Sequence, residues 1–263
     1  MMPLNYITWD VDPVIFSIGQ FSLRWYGTLF AGGFFIGYLI TQRVWRREKQ
    51  DETQLDTLLI LLVAGAILGS RLGHVFFYQW DYYSQHPEEI LMIWKGGLAS
   101  HGGAIGLIIA FWIFSKFVIK KHLLWTTDRV VMSVMLTAGM IRTGNLMNSE
   151  ILGSPADVPW AFIFTMRDAI PRHPAQLYEA IIYFCIAALL FYLFFKTNAV
   201  NYRGFITGLF LALTFTARVL IEFLKENQVP FEESMTLNMG QWLSFPLIAL
   251  GLYLIWGSRS KPS

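Results

Sequence analysis

Leu55-Asp56-Thr57-Leu58-Leu59-Ile60-Leu61-Leu62-Val63-Ala64-Gly65-Ala66-Ile67-Leu68-Gly69-Ser70-Arg71-Leu72-Gly73-His74-Val75-Phe76-Phe77-Tyr78 decides the fold class. No charge interrupts it between Asp56 and Arg71, and it is long enough for the roughly 20 residues that a helix needs to cross hydrocarbon. Its apolar residues are continuous rather than alternating, which excludes a β-barrel strand. Comparable runs lie at 22–42, 101–119, 128–147, 176–195, 204–224 and 240–257. Together they predict about seven spans.

Composition agrees. The 263 residues are 55% hydrophobic and only 14% charged, where about a quarter is usual in soluble domains. We therefore read an all-α polytopic membrane helix bundle, one integral-membrane domain over 1–263, and exclude a water-soluble enzyme. The net charge of +2 gives no electrostatic basis for a nucleic-acid partner. Cys185 is the one cysteine, so no internal disulfide can form, and its apolar surroundings predict a small buried packing residue. Met1 to Asp12 is acidic and does not read as a cleavable leader.

Alternate connections are rich in cations: Arg43, Arg46, Arg47 and Lys49, then Lys116, Lys120 and Lys121, then Lys196 and Arg203, and finally Arg259 and Lys261. The other connections carry fewer, so the positive-inside rule predicts an outer N-terminus and a cytoplasmic C-terminus. Residues 148–175 lie on the outer side and hold Pro155, Pro159, Pro171 and Pro174, which predicts a small irregular periplasmic cap.

An arginine at the bilayer centre costs roughly 2.5–3.5 kcal/mol on insertion scales, so intramembrane arginines need partners and commonly mark sites. Arg71, His74 and Tyr78 share one stripe of the second span. His101 opens the third span, before Gly102 and Gly103. Arg142 and Asn145 share a face of the fourth, with Asn148 and Glu150 just beyond. His173 and Glu179 begin the fifth, and Arg218 and Glu222 stand high on the sixth, with Lys225 continuing their face. Tyr26 is near the outer end of the first. With this orientation, all converge on the outer half of the membrane. Blander roles stay open: Arg218 and Glu222, at i and i+4, could neutralise each other, Arg71 could staple two helices, and the glycines could only permit close helix approach.

Arginines around a lipid-accessible chamber suit an anionic group, above all a lipid phosphate, because guanidinium offers paired donors. No metal-ligand spacing and no Ser-centred nucleophile elbow is present, so neither a metal nor a cofactor is expected. His101 is a candidate base near neutral pH.

Four stretches carry a resemblance: Gly96-Gly97-Leu98-Ala99-Ser100-His101-Gly102-Gly103-Ala104-Ile105-Gly106, Arg142-Thr143-Gly144-Asn145-Leu146-Met147-Asn148-Ser149-Glu150, Arg172-His173-Pro174 through Glu179, and Arg218 through Phe223. In this order they resemble the phosphatidylglycerol–prolipoprotein diacylglyceryl transferases of bacteria, nearly from end to end. The resemblance implies multi-pass residence in the cytoplasmic membrane and a reaction at its outer face. There the diacylglyceryl group of phosphatidylglycerol passes to the lipobox cysteine thiol in the signal peptide of a preprolipoprotein. A thioether forms and glycerol 1-phosphate leaves. It implies catalytic roles for His101, Arg142 and Arg218. Tyr26, Arg71, Asn145, Asn148, Glu150, Gly102 and Gly103 would bind or order the substrate, with His173, Glu179 and Glu222 supporting them. Ile141, Leu146 and Thr214 depart from the family's pattern. An anion or lipid transporter using the same arginines, and a non-catalytic envelope scaffold, are the alternative functions.

Overall fold

The computed structural model describes residues 6–226 and 235–258, with Ser100 described by its backbone alone. The expectations for the extreme N-terminus and for Arg259 and Lys261 lie outside the described residues. In chain order the elements are β1 (Ile7–Trp9), β2 (Val14–Ile18), β3 (Phe21–Arg24), α1 (Trp25–Arg47), α2 (Thr53–Tyr78) and the short α3 (Trp80–Tyr83). There follow α4 (Ser100–Ile113), α5 (Leu123–Met147), β4 (Phe162–Phe164), β5 (Pro171–Arg172), α6 (Ala175–Lys196), α7 (Phe205–Glu222) and α8 (Met239–Ser258).

Six helices are long and apolar enough to cross a membrane: α2, α4 with the wider π turn that extends it to Val118, α5, α6, α7 and α8. The protein is a mostly helical membrane protein. The expected first span, α1, has 23 residues, but Tyr26, Thr28, Tyr38, Thr41 and glycines 27, 32, 33 and 37 dilute its apolar content. It does not join the six. Cys185 lies exposed on the outer face of α6. This corrects the expectation of a buried packing residue: an apolar neighbourhood in sequence marks a lipid-facing stripe as readily as a core one.

The described residues form two compact units, one running to Ile40 and resuming at Asp128, the other Thr41–Thr127. In the second unit α2 packs on α4 through small residues. A Cβ on Gly65 would lie 2.6 Å from the Gly106 carbonyl oxygen, and one on Gly73 2.6 Å from the Gly102 Cα. Only glycine permits such backbone approach, and in lipid, where apolar side chains gain nothing by leaving solvent, close packing is what holds helices together. The first unit repeats the device where Gly208 of α7 meets Gly251 of α8, a Cβ on the former reaching 2.8 Å from the latter's carbonyl oxygen.

At the start of α7, Gly204 adopts a positive φ of 88°, and Asp128 of α5 accepts hydrogen bonds from Gly204 N (2.6 Å), Thr207 N (2.8 Å) and Thr207 Oγ1 (2.7 Å). A carboxylate there satisfies free amides and complements the helix dipole. This pins α5 to α7 at the end remote from Arg142 and Arg218.

The 148–175 segment is more ordered than its prolines predict. β1 pairs parallel with β4 (Ile7↔Phe162, Trp9↔Phe164), and β4 pairs antiparallel with β5. Leu146, Phe162 and Phe164 form its apolar nucleus, joined by Trp9, Leu152 and Leu177. Trp9 stacks on Phe162 and donates its indole N–H to the Leu146 carbonyl at 3.2 Å.

Candidate active site

The site in the first unit starts where α5 ends. Ser149 (φ 50°) and Ile151 (φ 58°) take left-handed backbone, which costs about 1–2 kcal/mol for a residue with a Cβ. The turn folds Glu150 back onto the helix, so that its Oε1 accepts from Asn145 Nδ2 at 2.7 Å and Asn148 Nδ2 at 3.4 Å. Arg167 Nε holds the Ser149 carbonyl at 2.6 Å and Gln176 Nε2 the Glu150 carbonyl at 2.6 Å, which offsets the strain.

One turn earlier on α5, Arg142 donates from Nη1 to Asn145 Oδ1 at 3.3 Å, while its Nε stands 2.8 Å from Oε2 of Glu179 on α6. Glu179 is 1% exposed, a charge stable there only with partners. Its second partner is Lys225, whose Nζ lies 3.5 Å from Glu179 Oε1 and 3.3 Å from Glu222 Oε2. Glu222 therefore pairs with Lys225, and the alternative of a closed Arg218–Glu222 pair is not realised. Among the described residues, no carboxylate forms an ion pair with Arg218.

Arg142 and Arg218 line one cavity of about 400 Å³, together with Tyr26, Asn145, Ile141, Tyr183, Thr214 and apolar side chains including Val134, Phe210 and Phe215. Tyr26 fits there because Gly144 has no Cβ: one would sit 2.9 Å from the Tyr26 ring. An apolar wall with two guanidinium groups suits an amphiphile bearing one anionic headgroup. Thr214, where the family pattern differs, turns its hydroxyl to Met135 Sδ at 3.2 Å.

The cap beside it is tied by charge. Arg172 bonds Asp168 Oδ2 at 2.7 Å and also reaches Glu226. The Arg172 guanidinium, and after it the Ile170 N–H, hold the Asp168 carboxyl below the usual carboxylate range. His173 Nδ1 is 3.2 Å from the Tyr178 hydroxyl, which accepts from Trp160 Nε1 at 2.8 Å.

Arg71, His101, Gly102 and Gly103 belong to the second unit. Arg71 is fully buried and spends its guanidinium on backbone: Nε to Ile90 O (2.7 Å), Nη2 to Glu89 O (2.7 Å), and Nη1 to Gly96 O (2.5 Å) and Gly97 O (3.4 Å). It also lies 4.9 Å from the Tyr83 ring centroid. The staple reading of Arg71 describes these contacts, although it holds a loop rather than a second helix. Gly102 meets Gly69 and Gly73, and a Cβ on Gly103 would fall 2.5 Å from Ser70 Oγ, so both glycines permit close approach. His101 is exposed on the first turn of α4, whose start is held by Ala99 N donating to Ser70 O at 2.9 Å.

Lys225, Gln176 and Tyr183 are the residues that sequence reasoning underrated. A lysine just past a span reads as an interfacial anchor, and only its 4% exposed side chain shows otherwise.

Apolar helices together with an arginine-lined cavity place the chain among helical membrane proteins with a charged internal site. A family profile described as prolipoprotein diacylglyceryl transferase matches residues 13–257. The chain belongs to that family. Among its relatives, the phosphatidylglycerol–prolipoprotein diacylglyceryl transferase of Chloroherpeton thalassium is 45% identical over 97% of this chain and 95% of its own. Those of Tolumonas auensis (44%, over 94% and 95%) and Porphyromonas gingivalis (44%, over 98% and 96%) carry the same name.

Proposed function

We propose that this protein transfers the diacylglyceryl group of phosphatidylglycerol to the lipobox cysteine thiol of a prolipoprotein, forming a thioether and releasing glycerol 1-phosphate. The observation that carries this reading is the meeting of Arg142 and Arg218 on one cavity, with Arg218 free of any carboxylate among the described residues. Sulfur attacks the diacylglyceryl carbon that is esterified to the phosphate. The C–S bond forms as the C–O bond breaks, and its electron pair leaves on the phosphate oxygen. Two fixed guanidinium groups stabilise that growing charge without reorganising, the form of electrostatic help that contributes most in a site shielded from water.

The nucleophile arrives with the peptide substrate, so Cys185 has no part. A free thiol has a pKa of about 8.5 and needs a base or a positive field to ionise. His101 is assigned the base, by the motif it shares with the family. Arg142 and Arg218 hold the phosphate, while Tyr26 and Asn145 shape its surroundings. Glu150 and Asn148 order Asn145, Glu179 orders Arg142, and His173 fixes the cap. We place the reaction at the outer face of a bacterial cytoplasmic membrane, from the cation asymmetry of the connections.

A transporter needs polar groups continuing past the cavity. At the opposite end of α5 the sequence offers chiefly Asp128 and Arg129 for such a path, and Asp128 is buried as the cap of α7. The test is direct: purified protein, phosphatidylglycerol and a lipobox peptide should yield the thioether and glycerol 1-phosphate in equal amounts. Absence of the thioether under conditions where the protein remains folded refutes the assignment.

A further inference from the structure

Glu222 follows Arg218 by four residues on α7, the spacing at which a carboxylate and a guanidinium on one helix face meet. It is drawn instead to Lys225, three residues on, and Lys225 also shares Glu179 with Arg142. The side chains of Lys225, Glu222 and Glu179 are 4%, 6% and 1% exposed, so solvent competes little for any of these charges. The position of Lys225 is set by backbone rather than chance. Gly153 bridges to Lys225, Ser154 N donates to the Leu224 carbonyl at 2.9 Å, and Glu226 N to the Leu152 carbonyl at 3.3 Å. Gly153 permits this docking, since a Cβ there would lie 2.8 Å from the Leu224 carbonyl oxygen and closer still to that of His173.

We propose that Lys225 is a positioning residue that keeps the phosphate-binding arginines available. By holding Glu222 it prevents that carboxylate from closing on Arg218, and by sharing Glu179 it leaves Arg142 only partly neutralised. Lys225 is not among the cavity-lining residues, so it acts through the two glutamates. The inference rests on the functional reading above in one respect, that the cavity receives an anionic phosphodiester headgroup.

With the ammonium removed, the nearest cation within Glu222's reach on its own helix is Arg218. A phosphate must then displace a paired carboxylate, which raises KM for phosphatidylglycerol on the order of tenfold to a hundredfold and lowers kcat less. The experiment compares wild type, K225M, K225R and the double variant K225M/E222Q in thioether formation. The same set is measured for direct binding of phosphatidylglycerol in mixed micelles. K225R should stay within about threefold of wild type, because it restores a cation at the same place. K225M/E222Q should recover most of the KM lost in K225M, since the competing carboxylate is gone. A lysine needed only for folding predicts the opposite, a double variant no better than the single. An unchanged KM and affinity in K225M, or no recovery in the double variant, overturns the proposal. If K225M does not accumulate, the double variant alone decides: wild-type-like affinity supports the proposal and weak affinity overturns it. A wild type that binds phosphatidylglycerol but forms no thioether refutes the functional reading instead, and the binding series still judges Lys225.

Discussion

Removing the guanidinium of Arg71 should loosen a specific loop of the second unit before it unfolds anything else. Four carbonyls, of Glu89, Ile90, Gly96 and Gly97, converge on this fully buried side chain. The Glu89 carbonyl keeps a second donor in Met92 N at 3.0 Å, whereas among the described residues the Ile90 and Gly96 carbonyls have Arg71 as their donor. A hydrogen bond to a charged donor contributes about 1.5–3 kcal/mol, so the two short unshared bonds set the scale of loss at roughly 3–6 kcal/mol. Gly96 is an exposed residue, which favours the lower end. Lysine offers a point charge and cannot span acceptors on both sides of the loop, so Arg71→Lys should recover less than half. Hydrogen exchange in detergent is the assay. Amides within 89–99 should exchange faster in the order wild type, Arg71→Lys, Arg71→Ala, with the Ala99 amide, which bonds Ser70 O, following the same order. Unchanged protection of this stretch in Arg71→Ala would refute the staple and return Arg71 to a direct role with the anion.

Two further outcomes are expected. His101→Gln should abolish the base-dependent limb of the pH–rate profile. Retention of most activity at pH 7 and above reassigns His101 to packing or orientation. The Asp168 carboxyl is held down by Arg172 and the Ile170 amide, so its stabilisation of the cap is present at neutral pH and is lost as pH falls through and below the ordinary carboxylate range, near 4. Asp168→Asn should therefore raise exchange of the 153–172 amides at pH 7 and flatten their acid dependence. Acid dependence equal to that of wild type excludes Asp168 as its source.

The residues show where sequence reading succeeds. Six of the seven expected spans coincide with apolar helices because a continuous apolar run has one physical reading in lipid. Arg142, Arg218, Tyr26 and Asn145 could be placed together from helix period and depth. The partners of Arg71 could not, since backbone carbonyls leave no trace in side-chain identity. Nor could the choice Glu222 makes between Arg218 and Lys225, because both lie within one helical turn and the decision falls to the docking of Gly153 and Leu152 on the chain after α7. The pairing of β1 with β4 joins segments about 150 residues apart, and three-residue strands carry too little periodicity to announce themselves.

The central claim is that the guanidinium groups of α5 and α7 act on one phosphate. Steady-state thioether formation by Arg142→Gln and Arg218→Gln, with phosphatidylglycerol varied, tests it most directly. Each substitution should lower kcat/KM by at least about a hundredfold, the scale of losing a charged donor at a developing anion, while the protein still inserts and accumulates. Near-wild-type kcat/KM in either variant would contradict the account.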